Sequence, residues 1–297
     1  MGKVIVRLMG GLGNQLFQYA TGHAMARRLG VPLLLDRTFL DKRPPGMDWT
    51  PREFELDAFR ARIAFADADE VERFRRRIDR RLHRTIHRLL PWLYPDVHLE
   101  AALGYDPSLR RRKAPLYLEG FFQNERYFDD VADELRNNLF MPRVQPDSRN
   151  AGLLTAVTAG VTASVHVRRG DYVSNAASNR FHGVCAPEYY ARAAAELVER
   201  HGVERFFVFS DAPEWTRANL SFPRPAEHIS HNTGKAAHWD LFLMRHCHHH
   251  IIANSSFSWW GAWLNARPGR VVIAPAQWFA GTGTPASAII PPTWNAR

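Results

Sequence analysis

The sequence predicts an α/β protein made of two α/β halves with a cleft between them. Short β-branched runs alternate with helical stretches along the chain, the pattern of successive βαβ units. The first such run, Val4-Ile5-Val6, passes through a glycine turn into a helix. Turn-forming residues then cluster at Pro142, Pro146, Asp147, Ser148 and Asn150, just before the alternation resumes. The domains are therefore set at residues 1–145 and 151–297, with 142–150 as the linker candidate. At 297 residues, 45% hydrophobic and 23% charged, the chain has the composition of a folded globular protein with room for two cores.

In order, a strand near residues 3–9 meets the turn Gly10-Gly11-Leu12-Gly13-Asn14-Gln15 and a helix from Leu16 to Leu29, which Gly30 ends. Val31 to Leu35 reads as a second strand, reached by a right-handed crossover. Residues 41–55 are rich in proline and charge and form a loop. Between Asp67 and Leu90, Val71, Phe74, Ile78, Leu82, Ile86, Leu89 and Leu90 recur at three- and four-residue spacing among arginines, which predicts one long basic amphipathic helix. A strand at Pro115–Glu119 and a helix from about Glu125 to Leu139 complete the first half. The second half carries strands at Ala163–Val167, Arg205–Ser210, Ile251–Asn254 and Val271–Ala274, with helices at Glu188–Gly202, Lys235–Cys247 and Trp259–Ala266.

Composition narrows the function. The 39 Lys+Arg residues against 30 Asp+Glu leave a net charge of +9, and only Lys3, Lys42, Lys113 and Lys235 are lysine. Arginine suits phosphate and carboxylate partners, but most of the excess is assigned to codon bias, since few arginines fit any one site. A nucleic-acid-binding protein is the reading from another class. It is disfavoured because the aromatic cluster at 257–263 is nearly uncharged, where stacking aromatics should interleave with basic residues. Cys185 and Cys247 cannot build a disulfide framework, and no apolar run reaches transmembrane length, so a cytoplasmic protein is expected. The N-terminus reads as a strand and not as a signal peptide.

Three motifs carry chemistry. His166-Val167-Arg168-Arg169-Gly170-Asp171 ends a strand, where open α/β sheets hold their ligands, and its arginines can pair with phosphate. Asn254-Ser255-Ser256-Phe257 follows another strand and opens a helix, whose free N–H groups and serine hydroxyls form an anion site. Trp259, Trp260 and Trp263 beside it are read as packing. The glycine turn lacks dinucleotide and P-loop spacing, but it allows close backbone approach, with Asn14 and Gln15 as polar handles. His246-Cys247-His248-His249-His250 is not read as a metal site, because successive strand residues point to opposite faces. No Asp-x-Asp triplet is present to hold a divalent ion. Ser210-Asp211 ends a further strand, and Asp240 lies in a helix.

Together these motifs resemble glycosyltransferase family 11, the α-1,2-fucosyltransferases, in its bacterial form. The resemblance runs through Gly10 to Tyr19, Leu118-Glu119-Gly120-Phe121-Phe122-Gln123, the His-x-Arg-Arg-x-Asp block at 166–171, Ser210-Asp211, and Ile252 to Leu264. It implies a GT-B-like fold, two facing Rossmann-like domains with a cleft between them, with acceptor binding in the first domain and GDP-fucose binding in the second. The implied reaction is inverting transfer of fucose from GDP-fucose to the 2-hydroxyl of a terminal β-galactose, with no cofactor and no metal. Arg168, His166 and Asp171 are the implied catalytic group. Asn14, Arg168, Arg169, Asp211, Asp240, Asn254, Ser255, Ser256 and Phe257 stand on the donor side, and Gln15, Asp36, Glu119 and Gln123 on the acceptor side. The general base is open among Asp36, Glu119 and Asp171. A fucosyltransferase of another linkage, to protein hydroxyls or core N-acetylglucosamine, is the second enzymatic reading. The partners expected are the nucleotide sugar and a galactose-terminated glycan, without nucleic acid. Helix 67–90 could also lie on an anionic membrane, although a packed helix with a solvated arginine face is preferred.

Overall fold

A computed structural model describes residues 2–42, 51–79, 81–170, 183–280 and 285–297. The chain divides into two compact units, one formed by residues 1–47, 51–57 and 61–139, the other by 48–50, 58–60 and 140–297. Each carries the parallel α/β sheet that the sequence predicts.

In the first unit, β1 (Val4–Arg7), β2 (Leu33–Asp36), β3 (Val97–Leu99) and β4 (Leu116–Glu119) form a parallel sheet in the order β2-β1-β4-β3. The β-branched residues of β1 are fully buried, as expected of a strand covered on both faces. Helix α1 (Leu12–Leu29) packs against the sheet through Gly22, where a Cβ would stand 2.8 Å from Leu33 Cδ1. The helix ends at Gly30, in the left-handed region at φ 64°. Ile5, Tyr117, Val97, Val71, Ile78 and Tyr94 make a core cluster.

The single long basic helix is not found. Two helices stand in its place, α2 (Ala68–Arg76) and α3 (Arg81–Leu89), because the chain turns over Arg77–Asp79. Val71 and Ile78 are buried, whereas Leu82 and Leu89 are exposed, so the apolar spacing continues across the break although the face it marks does not. The helix expected over 125–139 forms only in short 3₁₀, α and π pieces, at Glu125–Tyr127, Asp129–Val131, Ala132–Glu134 and Leu135–Leu139. Asn124 caps the first by accepting from Arg126 N–H, and Asp129 and Asp130 turn outward to Arg110 and Arg28.

In the second unit, six strands run parallel in the order β10-β9-β8-β5-β6-β7: β5 (Thr162–Val167), β6 (Arg205–Ser210), β7 (Ala226–Ile229), β8 (His249–Ile251), β9 (Val272–Ala274) and β10 (Asn295–Ala296). Among the described residues, five α-helices accompany them: α4 (Ser148–Thr158), α5 (Pro187–His201), α6 (Pro213–Asn219), α7 (His238–Met244) and α8 (Ser256–Trp263). The linker candidate runs into α4, because the Asp147 carboxylate caps it by accepting from Asn150 N–H. The core joins Val165, Val167, Phe206, Val208 and Ile251 of the sheet to Tyr190, Ala194 and Leu197 of α5. Trp259, Trp260 and Trp263 are fully buried in a mutually packed cluster, the role expected of them.

Candidate functional site

The chain order of the second sheet locates its ligand edge. From β5 the chain adds β6 and then β7 on one side, and β8 and β9 on the other. The reversal lies between β5 and β8, and the crevice outside the strand C-termini at such a reversal is where open α/β sheets bind ligands. The His166–Gly170 segment leaves β5 here, Asn254–Ser256 leaves β8, and Asp211 leaves the neighbouring β6. Segments 41 to 90 residues apart in sequence, from Gly170–Asp211 to His166–Ser256, thus share one edge because three adjacent strands end together.

Arg168 Nη1 stands 2.8 Å from Asp211 Oδ2, and Asp211 Oδ1 accepts the Arg169 N–H at 2.9 Å. Both oxygens of one carboxylate therefore hold the turn after β5, and Gly170 leaves the room, since a Cβ there would sit 2.4 Å from Asp211 Oδ2. The Arg169 guanidinium lies 3.7 Å above the Trp215 ring, a cation–π contact. His166 is buried, and its Nδ1 meets Ser258 Oγ at 2.5 Å. Burial pushes the imidazole pKa down to about 4; Asp211 opposes the shift and Arg168 adds to it. The ring is therefore neutral near pH 7, and it packs under Phe257 with centroids 5.3 Å apart.

Intrahelical bonding in α8 starts with Trp259 N–H donating to Ser255 O. The N–H groups of Ser256 and Phe257 are thus the ones a helix N-terminus presents, next to two serine hydroxyls. A guanidinium on one side and a helix N-terminus on the other make a site suited to a diphosphate. Asn254 faces inward instead: it is buried, and its amide donates to Trp278 O at 3.2 Å. It fixes the loop beside Ser255, which is buried as well, and Ser256, which is half-buried.

The corresponding edge of the first unit is charged and largely buried. Arg7 pairs with Glu119 Oε2 at 2.7 Å and Arg84 with Glu119 Oε1 at 2.7 Å. Asp36 accepts from Tyr117 O–H at 2.6 Å and from Thr38 N–H at 2.8 Å. Glu119 is buried, which raises its pKa, but Arg7 and Arg84 outweigh that and hold the carboxyl below its usual value.

A sequence profile described as glycosyl transferase family 11 matches residues 107–296. An alpha-1,2-colitosyltransferase of Escherichia coli is 35% identical, over 94% of this chain and 93% of its own length. The chain belongs to glycosyl transferase family 11. A second E. coli relative in this family comparison, the O-antigen biosynthesis glycosyltransferase WbnK, is 30% identical over 92% of this chain and 94% of its own. Galactoside alpha-(1,2)-fucosyltransferase 1 of Saimiri boliviensis boliviensis is 26% identical, over 86% of this chain and 63% of that protein. Among solved structures, the fucosyltransferase NodZ from Bradyrhizobium aligns at a TM-score of 0.47 and 17% identity, covering 88% of this chain and 91% of that one.

Within this family member the expected residues fall into three groups. His166, Arg168, Arg169, Asp211, Ser255, Ser256 and Phe257 come together at the β5–β8 edge. Asp240 opens α7, where it accepts from Asn232 at 2.8 Å and burial pushes its carboxyl up to about 7. In the first unit, Asn14 Oδ1 accepts from Gln123 Nε2 at 2.8 Å, which ties the glycine turn to the loop after β4. Asp171 lies outside the described residues.

Gln15 does not act as an exposed handle. It is buried, its Nε2 donates to Gly10 O at 3.0 Å and Glu53 O at 2.7 Å, and its Oε1 accepts from Glu55 N–H at 3.0 Å. These three bonds leave the amide little for a ligand. The histidine run likewise divides: His250 bonds Ser164 and Asn265, while His249 accepts from Val271 N–H. Among the described residues no cluster of His, Cys, Asp or Glu could hold a metal ion, and no helix is long and apolar enough to cross a membrane.

Ser258 was missed. Its signal was positional, since it lies one helical turn beyond Asn254 at the start of a helix that the sequence reading began at Trp259. Gln18 was missed too: it accepts from Met9 N–H and donates to Gly120 O, both at 3.0 Å, joining the first motif to the second.

Proposed function

We propose that the chain transfers fucose from GDP-fucose to the 2-hydroxyl of a terminal β-galactose, with inversion and without a metal ion. The observation that carries this reading is that Arg168 follows β5 at the reversal point of the second sheet, beside the strand β8 that leads into the N-terminus of α8. The barrier lies in breaking the bond between the anomeric carbon and the diphosphate, so the protein must stabilise the negative charge that develops on the leaving group. Arg168 supplies that charge. Asp211 holds its guanidinium at the rim, and Ser255, Ser256 and the Phe257 N–H receive the other phosphate oxygens. His166, being neutral, contributes a hydrogen bond rather than a charge, and Asp240 is assigned the guanine edge. The α-1,2 linkage in the names of two relatives supports the choice of the 2-hydroxyl.

One assay tests this. Purified protein is given GDP-fucose, or the corresponding GDP-activated colitose, with a β-galactoside acceptor and excess chelator, and the product linkage is determined. A fucosyl α-1,2 product is expected. A product only from the colitosyl donor would overturn the donor assignment, a different linkage the acceptor assignment, and dependence on added metal the metal-free mechanism.

A further inference from the structure

The described apolar surface of the first unit is unevenly covered. Leu82 and Leu89 of α3, then Leu90, Trp92 and Leu93 just after it, all stand exposed, with Leu89 at 69% and Trp92 at 68%. They occupy one stretch of chain that is anchored from beneath. His83 Nδ1 meets Tyr94 O–H at 2.8 Å, His87 packs on the Tyr94 ring, and Arg112 donates to Tyr94 O at 3.0 Å. The exposed indole and leucines therefore sit on a fixed support.

Along the chain the ridge itself carries charge of one sign. From Leu82 to Pro95 there is no acidic residue. Arg88 lies within this stretch, Arg111 and Lys113 flank the anchoring Arg112, and all three are exposed and form no ion pair among the described residues. A solvated apolar ridge bordered by unpaired cations is the combination that anionic lipid selects: leucine and tryptophan enter the boundary between headgroups and acyl chains, while arginine and lysine meet the phosphates.

We propose that the surface formed by α3 and the Pro91–Leu93 turn docks on an anionic phospholipid leaflet. Leu89, Trp92 and Leu93 insert, and Arg88, Arg111 and Lys113 bind headgroup phosphates. This places the contact on the short α3 and its following turn, and not along a helix spanning 67–90. The inference concerns binding alone, so its failure leaves the proposed transfer reaction untouched.

The full chain is co-sedimented with vesicles of phosphatidylglycerol and phosphatidylethanolamine, and with vesicles of phosphatidylcholine. Binding to the anionic vesicles should be at least tenfold tighter and should weaken with salt. The triple variant Leu89→Ser/Trp92→Ala/Leu93→Ser changes exposed side chains only; it should lose at least tenfold in vesicle affinity while keeping its melting temperature and its transferase activity on a soluble acceptor. Arg111→Glu/Lys113→Glu, which leaves the ridge intact, should abolish the preference for anionic lipid. Equal binding to both vesicle types, no binding, or unchanged binding by the triple variant overturns the proposal. So does a wild-type dimer that the triple variant converts to monomer, which would make a second copy the occupant.

Discussion

At the residue scale, Arg168 and Asp211 divide one task. The carboxylate fixes the guanidinium at 2.8 Å and also holds the following backbone, so the cation is positioned before any ligand arrives. Arg168→Ala should lower the transfer rate by about 10²–10³, the scale of one charge-stabilising donor. Asp211→Asn, which keeps shape but loosens the cation, should cost about tenfold, read mainly in kcat. His166 gives a separate pH signature. Its folded pKa of about 4 lies below the ordinary 6.5, so between those values the unfolded chain binds more protons, and stability falls as pH drops through the window. His166→Gln should remove its share of that fall, to which the buried His98, His249 and His250 also contribute, in urea-unfolding midpoints measured from pH 7 to pH 4. In the first unit, Glu119→Gln would leave Arg7 buried without its counter-charge. A loss of about 3–5 kcal/mol is expected in denaturant unfolding, the range for breaking a buried pair.

At the element scale, the two motifs of the first unit prove to be one structure. Glu100 accepts from the N–H groups of Phe121 at 2.6 Å and Phe122 at 3.0 Å, and so holds Phe122 at a positive φ of 53°. Gly120 allows this, because a Cβ there would lie 2.4 Å from Glu100 Cβ. Gly120→Ala should therefore destabilise the first unit by about 1–3 kcal/mol, measured as a shift of its thermal transition. The sequence displayed both motifs, yet the bonds between them join residues 102 and 109 positions apart, which no local pattern records. Helix ends were readable where a residue type forces them, as at Gly30, whose left-handed φ suits glycine. The break between α2 and α3 was not, since apolar spacing reports a period and says nothing of where the axis changes direction.

At the scale of the whole molecule, the alternation of strands and helices was enough to predict two parallel α/β sheets, because strands buried on both faces read as continuous apolar runs. β3, β7 and β10 escaped notice: the first and last hold three and two residues, and β7 carries Glu227 and His228 at its centre. The site followed the same rule. The residues at the β5–β8 edge could be picked out individually by position after a strand, whereas their convergence depends on strand order, a property of the assembled sheet. The basic charge is also resolved in space. Arg168 stands at the β5–β8 edge, Arg7 and Arg84 neutralise Glu119, and Arg112 braces the turn after α3 through Tyr94 O.

The described indoles give the two units different optical signatures. Trp215, Trp239, Trp259, Trp260, Trp263, Trp278 and Trp294 all lie in the second unit, whereas Trp92 in the first is already largely in water, and Trp49 lies outside the described residues. Emission from the described indoles should therefore follow the second unit almost alone, shifting to longer wavelength when the cluster around Trp259 opens. Unfolding of the first unit would be nearly silent in that channel, and would appear instead in far-ultraviolet dichroism and tyrosine absorbance. A single equilibrium experiment read in both ways can thus tell whether the two units melt together or in turn, without a label on either.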